Sequence, residues 1–200
     1  MPDTNPIEHV LATAAGNFRI RCCWSGDRFA HQFELSHLGE WVELLKSVEG
    51  DGETPWPPSA PIQELHRQDW QQNDCLLGVG KAGHGHWSLS LEPLSDQSGF
   101  RFDFACRASF SGTGEFLANT YMGEKLVGST SVPNREASAS VTTLVSTEAP
   151  GYYLEIQVIA GASFEPSQTS SEWVVKAPAP TEEGAQTVRW IYECRLHQEL

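Results

Sequence analysis

Apolar and polar residues alternate with a period of two along most of this chain, the pattern of strands buried on one face. Phe18, Ile20, Cys22 and Trp24 alternate with Arg19, Arg21 and Cys23. Ser25-Gly26-Asp27 then reads as a turn, and Phe29, His31, Phe33 and Leu35 alternate with Arg28, Ala30, Gln32 and Glu34. This predicts a β-hairpin whose strands each present one apolar and one polar face. Residues 37–49 break the period: Leu38, Trp41, Val42, Leu45 and Val48 recur at helical spacing, with Ser36 as an N-cap and Gly50-Asp51-Gly52 as a stop. That spacing predicts an amphipathic helix. Four prolines between Glu53 and Pro61 predict an irregular crossing loop, and residues 62–70 read equally as a short helix or an edge strand.

The alternation then returns. Strands are predicted over Cys75–Val79, Trp87–Glu92, Phe100–Arg107, Phe116–Met122, Ser138–Ser146, Tyr152–Ala160, Trp173–Lys176 and Thr187–Leu196. The period is clearest at Phe100, Phe102, Phe104 and Cys106, and again at Val188, Trp190, Tyr192 and Cys194. The resulting fold class is all-β: a mainly antiparallel sandwich or partly closed barrel of about eight to ten strands, with one amphipathic helix near residues 37–49. A length of 200 residues fits a single all-β domain spanning 1–200.

Charge narrows the partners. Asp and Glu number 26 against 13 Lys and Arg, a net charge of −13, and both halves of the chain are acidic. Such a surface repels a phosphate backbone and an anionic bilayer, so neither nucleic acid nor membrane is an expected partner. The five cysteines, Cys22, Cys23, Cys75, Cys106 and Cys194, are odd in number and form no CxxC pair. The N-terminal segment MPDTNPIEHV carries no basic or apolar signal region. Together these features predict a reducing cytoplasmic location, with Cys22, Cys106 and Cys194 as small core residues.

Three short motifs bear on chemistry. Gly78-Val-Gly80-Lys-Ala-Gly83 fits GxGxxG after a predicted strand, but HGHWSLSLEP follows where dinucleotide binding needs a helix. Five residues separate Cys22 from Arg28, a spacing that resembles the phosphate loop of cysteine phosphatases. The preceding His of that family is missing, and Phe29–Leu35 alternates as a strand. The third motif is His84-Gly85-His86. Two histidines at i and i+2 of a strand share a face, roughly 7 Å apart, and can hold one transition-metal ion. The segment resembles the first cupin motif: Gly78 lies six residues before His84, Glu92 follows the histidines, and Gly99 lies seven after Glu92. The resemblance implies a β-barrel and a metal-dependent enzyme using His84 and His86. Five residues stand between His86 and Glu92 where the motif has three or four, and no later His matches the second cupin motif.

The polar phase of the same strand carries His86, Ser88, Ser90 and Glu92, and the polar phase of Phe100–Arg107 carries Asp103 and Arg107. If the two strands pair, His84, His86, Ser88, Ser90, Glu92, Asp103 and Arg107 become candidate ligand-binding residues on one face. The sequence contains no GxSxG, HExxH, EF-hand or Walker pattern. The expected function is therefore non-catalytic binding of a small molecule or a protein, with self-association as a further option. No cofactor is expected. The alternative is the cupin-like enzyme, with a divalent transition metal on His84 and His86.

Overall fold

The computed structural model describes residues 7–50, 54–70, 73–111, 117–123, 126–133, 141–147, 149, 151–160, 162–166 and 171–198. Fifteen strands run through them: β1 (Glu8–Ala12), β2 (Phe18–Ser25), β3 (Arg28–His37), β4 (Glu40–Ser47), β5 (Glu64–Trp70), β6 (Asn73–Ala82), β7 (Gly85–Pro93) and β8 (Gly99–Phe110), followed by β9 (Ala118–Met122), β10 (Leu126–Pro133), β11 (Val141–Thr147), β12 (Tyr152–Ala160), β13 (Ser163–Pro166), β14 (Glu172–Lys176) and β15 (Gly184–Gln198). They form two sheets. Sheet A has seven strands in the order β1-β2-β3-β4-β9-β14-β13, and sheet B has eight in the order β10-β11-β12-β15-β8-β7-β6-β5. Each neighbouring pair is antiparallel. The sheets face each other as an all-β sandwich and do not close into a barrel.

The period-two rows make the core. On sheet B, Phe100, Phe102, Phe104 and Cys106 of β8 stand opposite Cys194, Tyr192, Trp190 and Val188 of β15, and all eight are buried. Their rings stack across the strand pair, Phe102 on Tyr192 at 4.9 Å and Phe104 on Trp190 at 5.4 Å between centroids. Sheet A answers with Phe18, Ile20, Phe33 and Leu45, also buried. Phe18 meets Phe100 at 5.4 Å and Phe33 meets Phe102 at 5.5 Å, which ties the sheets together. Burial of each large apolar side chain contributes about 1.5–3 kcal/mol, and this shared interior is the main source of cohesion between the layers.

The strand count exceeds the sequence expectation, and the helix near residues 37–49 is corrected. That segment is a hairpin turn followed by β4, and no α-helix occurs among the described residues. Leu38 and Gly39 form the turn, both at positive φ (53° and 87°), with His37 paired to Glu40. A bulge then inserts Leu44, so that Phe33 opposes Leu45 while Glu34 opposes Glu43. The extra residue leaves Leu44 and Leu45 both buried, so that Val42, Leu44 and Leu45 face inward and the period of two is lost. An i, i+3 spacing therefore imitates a helix here.

Residues 62–70 resolve in favour of an edge strand, β5. The proline-rich stretch does cross over, carrying the chain from β4 in sheet A to β5 in sheet B. It is fastened to both layers: the N–H of Phe29 donates to the carbonyl of Ile62 at 2.7 Å, and that of Gln63 to Val79 at 2.9 Å. Gly80 permits this passage, because a Cβ there would lie 1.6 Å from the carbonyl oxygen of Pro61. Phe116, residues 138–140 and residues 112–114, assigned above to strands or left between them, lie outside the described residues. No helix among the described residues is long and apolar enough to cross a membrane.

Candidate functional site

β7 and β8 pair as the polar rows require. His86 stands opposite Arg107, Ser88 opposite Ala105, Ser90 opposite Asp103, and Glu92 opposite Arg101. Trp87, Leu89 and Leu91 are buried on the inner face, and His86 and Ser88 are exposed on the outer one. Six of the seven candidate residues thus lie on the outer face of one strand pair. His84 does not. Ala82 pairs with Gly85, so Gly83 and His84 form the two-residue turn between β6 and β7. The i, i+2 geometry of a strand therefore does not apply to His84 and His86. Among the described residues no group of three or more His, Cys, Asp or Glu side chains is placed to hold a metal ion.

The neighbouring strands extend these rows. One row runs Val79, Ser88, Ala105, Arg189, and the next runs Leu77, Ser90, Asp103, Ile191. Arg189 donates to Asp103 through Nε at 2.7 Å and also through Nη2. Small side chains at Ser88, Ser90 and Ala105 leave a low floor. It is bounded on one side by the exposed Leu77 and Val79 (37% and 50%) and on the other by the Arg189–Asp103 pair. The depression has a volume of about 400 Å³. A second hollow of about 240 Å³ shares Leu77 and Ser90 with it and adds Cys75 and Glu92. A third, of about 270 Å³, shares Glu92 and adds Leu94, Asp96, Arg101, Glu193 and Arg195. Through these shared residues the hollows adjoin along β7 as a trough, with Leu77 in two of them and Glu92, Asp96, Arg101, Glu193 and Arg195 at its charged end. His86 and Arg107 stand beyond its opposite end; His86 lines a separate hollow of about 320 Å³ with Gln63, Glu64 and Lys81.

The other motifs find structural explanations. Gly78 and Gly80 lie within β6 and Gly83 in the following turn at φ 53°, so GxGxxG here is a strand packed against the crossing segment. Cys22 faces the interior, where burial raises its thiol pKa to about 12. A phosphate-loop nucleophile requires the opposite shift. Arg28 grips Asp27 with Nε at 2.8 Å and Nη2 at 2.9 Å. Cys106 is likewise raised to about 12 by burial, and Cys194 well above the ordinary thiol range.

Sequence reasoning missed two groups. Leu77, Val79 and Arg189 complete the trough; they sit in the outward phase of β6 and β15, a signal present in the alternation. The second group is a polar set between the sheets. His31 Nε2 lies 2.6 Å from the hydroxyl of Tyr121, which in turn contacts the hydroxyl of Tyr192. The backbone N–H of His31 donates to Ser47 Oγ at 2.8 Å, and Ser47 donates to Glu49. Burial alone lowers the His31 pKa to about 3. Burial also raises Glu49 to about 7, opposed by its bond to Ser47 and by the charge of Arg28. Tyr121 and Tyr192 are held well above the usual phenol range by the same desolvation. His31, Tyr121 and Tyr192 thus bridge the two sheets as neutral side chains.

Compared with known proteins, the chain matches no family model, and no curated protein matches it significantly. Function must therefore be argued from the geometry.

Proposed function

We propose that this protein is a non-catalytic binding domain that takes a small amphipathic ligand in the trough on the outer face of sheet B. The observation that carries the reading is the pair of exposed apolar side chains, Leu77 and Val79, beside a floor of small residues and the Arg189–Asp103 pair. Apolar area beside a few placed polar groups is the usual composition of a ligand site. Ser88 and Ser90 make no hydrogen bond to a histidine or carboxylate among the described residues, which supports binding over nucleophilic catalysis. A reducing, cytoplasmic setting fits the free state of all five cysteines.

The test is a titration of ¹⁵N-labelled protein with a mixed set of small amphipathic molecules, beside a Ser88→Arg variant. Ser88 is exposed, so the arginine fills the trough without disturbing the core. Saturable amide shifts at Leu77–Val79, Ser88–Ser90 and Asp103–Ala105 that vanish in the variant are the expected result. Ligands that bind elsewhere, or equally well to the variant, overturn the reading. Shifts that appear only with Zn²⁺ or another transition metal and centre on His84 and His86 transfer the assignment to the metal-dependent alternative.

A further inference from the structure

We propose that the Glu92 end of the trough binds a zwitterion, specifically the ammonium and carboxylate of a free α-amino acid whose apolar side chain lies against Leu77. This inference rests on the trough being the binding site and specifies what it takes.

Glu92 and Arg101 are directly opposite across β7 and β8. Opposite charges in that position ordinarily pair with each other. Here they do not. Arg101 turns away toward Glu193, with Nη1 3.6 Å from Oε1, an ionic contact without a hydrogen bond. Glu193 already accepts from Arg195 at 2.6 Å, and Arg195 also donates to Gln157 at 3.1 Å. Arg101 therefore keeps a guanidinium fork with donors to spare. Glu92 makes no hydrogen bond or ion pair among the described residues. Both side chains line the same 270 Å³ hollow. Glu92 also lines the neighbouring 240 Å³ hollow, whose other walls include Cys75 and Leu77.

The chemistry of the occupant follows from these placements. A simple anion at Arg101 would meet Glu92, Asp96 and Glu193 on the same walls and a net charge of −13 overall. A simple cation at Glu92 would meet Arg101 and Arg195. A molecule bearing both charges satisfies both, because the two side chains rise from directly opposed positions, with Cβ atoms about 4.5–5.5 Å apart, and line the same hollow. A carboxylate suits the Arg101 fork, and an ammonium suits a lone carboxylate. The two hollows that Glu92 lines, about 270 and 240 Å³, are each smaller than the roughly 300–1,000 Å³ typical of drug-sized ligands. The occupant is therefore small. Glu92 is a wall of both the charged hollow and the Cys75–Leu77 hollow, which gives the side chain an apolar place to lie beside it.

The experiment titrates L-leucine, glycine, N-acetyl-L-leucine and L-leucinamide into ¹⁵N-labelled protein and its Glu92→Gln and Arg101→Gln variants. Both residues are surface positions, and retention of the wild-type amide dispersion in each variant verifies the fold. L-leucine is expected to shift the amides of Leu77, Glu92 and Arg101 saturably, with glycine at least fivefold weaker. Blocking the amine or the carboxylate should each weaken binding tenfold or more. Glu92→Gln should weaken L-leucine tenfold while leaving N-acetyl-L-leucine unchanged, and Arg101→Gln should do the same for L-leucine against L-leucinamide. Absence of L-leucine binding at millimolar concentration, while other amphipathic molecules still occupy the trough, overturns the zwitterion and leaves the trough intact. Equal binding of all four compounds also overturns it. A trough that no molecule occupies removes both readings.

Discussion

Glu34 on sheet A and Glu92 on sheet B each stand opposite an arginine of the neighbouring strand, Arg19 and Arg101, yet only the first pair closes. Glu34 accepts from Arg19 at 2.5 Å and from Arg21 at 3.1 Å. Arg21 also donates to Gln32 at 2.6 Å, and the guanidinium of Arg19 lies 3.8 Å above the ring of Trp41. The Glu34 side chain is only 6% exposed, so this carboxylate is closed off by its own arginines. On sheet B the equivalent arginine leans toward Glu193 and leaves Glu92 open beside a hollow. The same residue types in the same cross-strand relation give a structural clamp in one place and a candidate receptor in the other. The difference lies in which neighbours complete the set. Arg21 and Trp41 close it around Glu34, whereas Ser90 and Leu77 leave Glu92 room.

This contrast makes its strongest demand on stability. Glu34→Ala removes the shared acceptor of two arginines in a nearly buried position and should destabilise the protein by about 2–3 kcal/mol. Glu92→Ala removes nothing that is paired and should change stability by no more than about 0.5 kcal/mol. Urea unfolding of the two variants measures both. Equal losses would show that Glu92 is as structurally committed as Glu34 and would end its candidacy as a ligand group.

The interior offers a pH-dependent version of the same test, because Glu49 and His31 shift in opposite senses. Glu49 rises from an ordinary 4.5 to about 7. The folded state therefore holds a proton that the unfolded chain gives up, and this contribution is full below about 4.5 and lost as pH rises through 7. His31 falls from 6.5 to about 3, so its contribution is full above about 6.5 and lost as pH falls toward 3. Between pH 4.5 and 6.5 the two cancel, one proton against the other. Glu49→Gln should unmask His31. Measured as the difference from wild type, the variant should gain stability steadily from pH 4.5 to 7, with a slope of roughly one proton. A flat difference curve would mean that Glu49 ionises normally despite its burial.

Much of this molecule is legible in the sequence wherever alternation is unbroken. β2, β3, β8, β12 and β15 follow from it directly, and so does the outward row His86, Ser88, Ser90, Glu92. β4 was hidden because the bulge buries Leu44 and Leu45 side by side and breaks the period of two, leaving Val42 and Leu45 at helical spacing. β10 (LVGSTSVP) carries too few apolar residues to alternate, and β1 and β13 are only five and four residues long. His84 reads as strand because HGHWSLSLEP alternates from that point, although the pairing of Ala82 with Gly85 makes it a turn residue. Arg189 could be assigned to a polar phase, but not to Asp103, since strand order is a property of the whole sheet. The polar set His31, Tyr121 and Tyr192 lay in the apolar phase of three separate strands. Only the packing of one sheet on the other reveals that these groups meet.

The smallest effect concerns the exposed apolar residues, which the two sheets also use differently. Leu77 and Val79 lie on a strand with ordinary backbone, so their exposure carries no conformational cost of its own. Leu38 is 92% exposed at the tip of the β3–β4 turn, with φ at 53°. A leucine in that left-handed region is strained by about 1–2 kcal/mol, and two-residue turns of this kind favour Asn-Gly. Gly39 already supplies the glycine. Leu38→Asn should therefore stabilise the protein by about 0.5–1 kcal/mol, a rise of roughly 1–4 °C in Tm for a chain of this size. It should leave ligand binding on sheet B unchanged. A fall in Tm would mean that Leu38 makes a compensating contact, and a loss of binding would extend the ligand surface to the rim of sheet A.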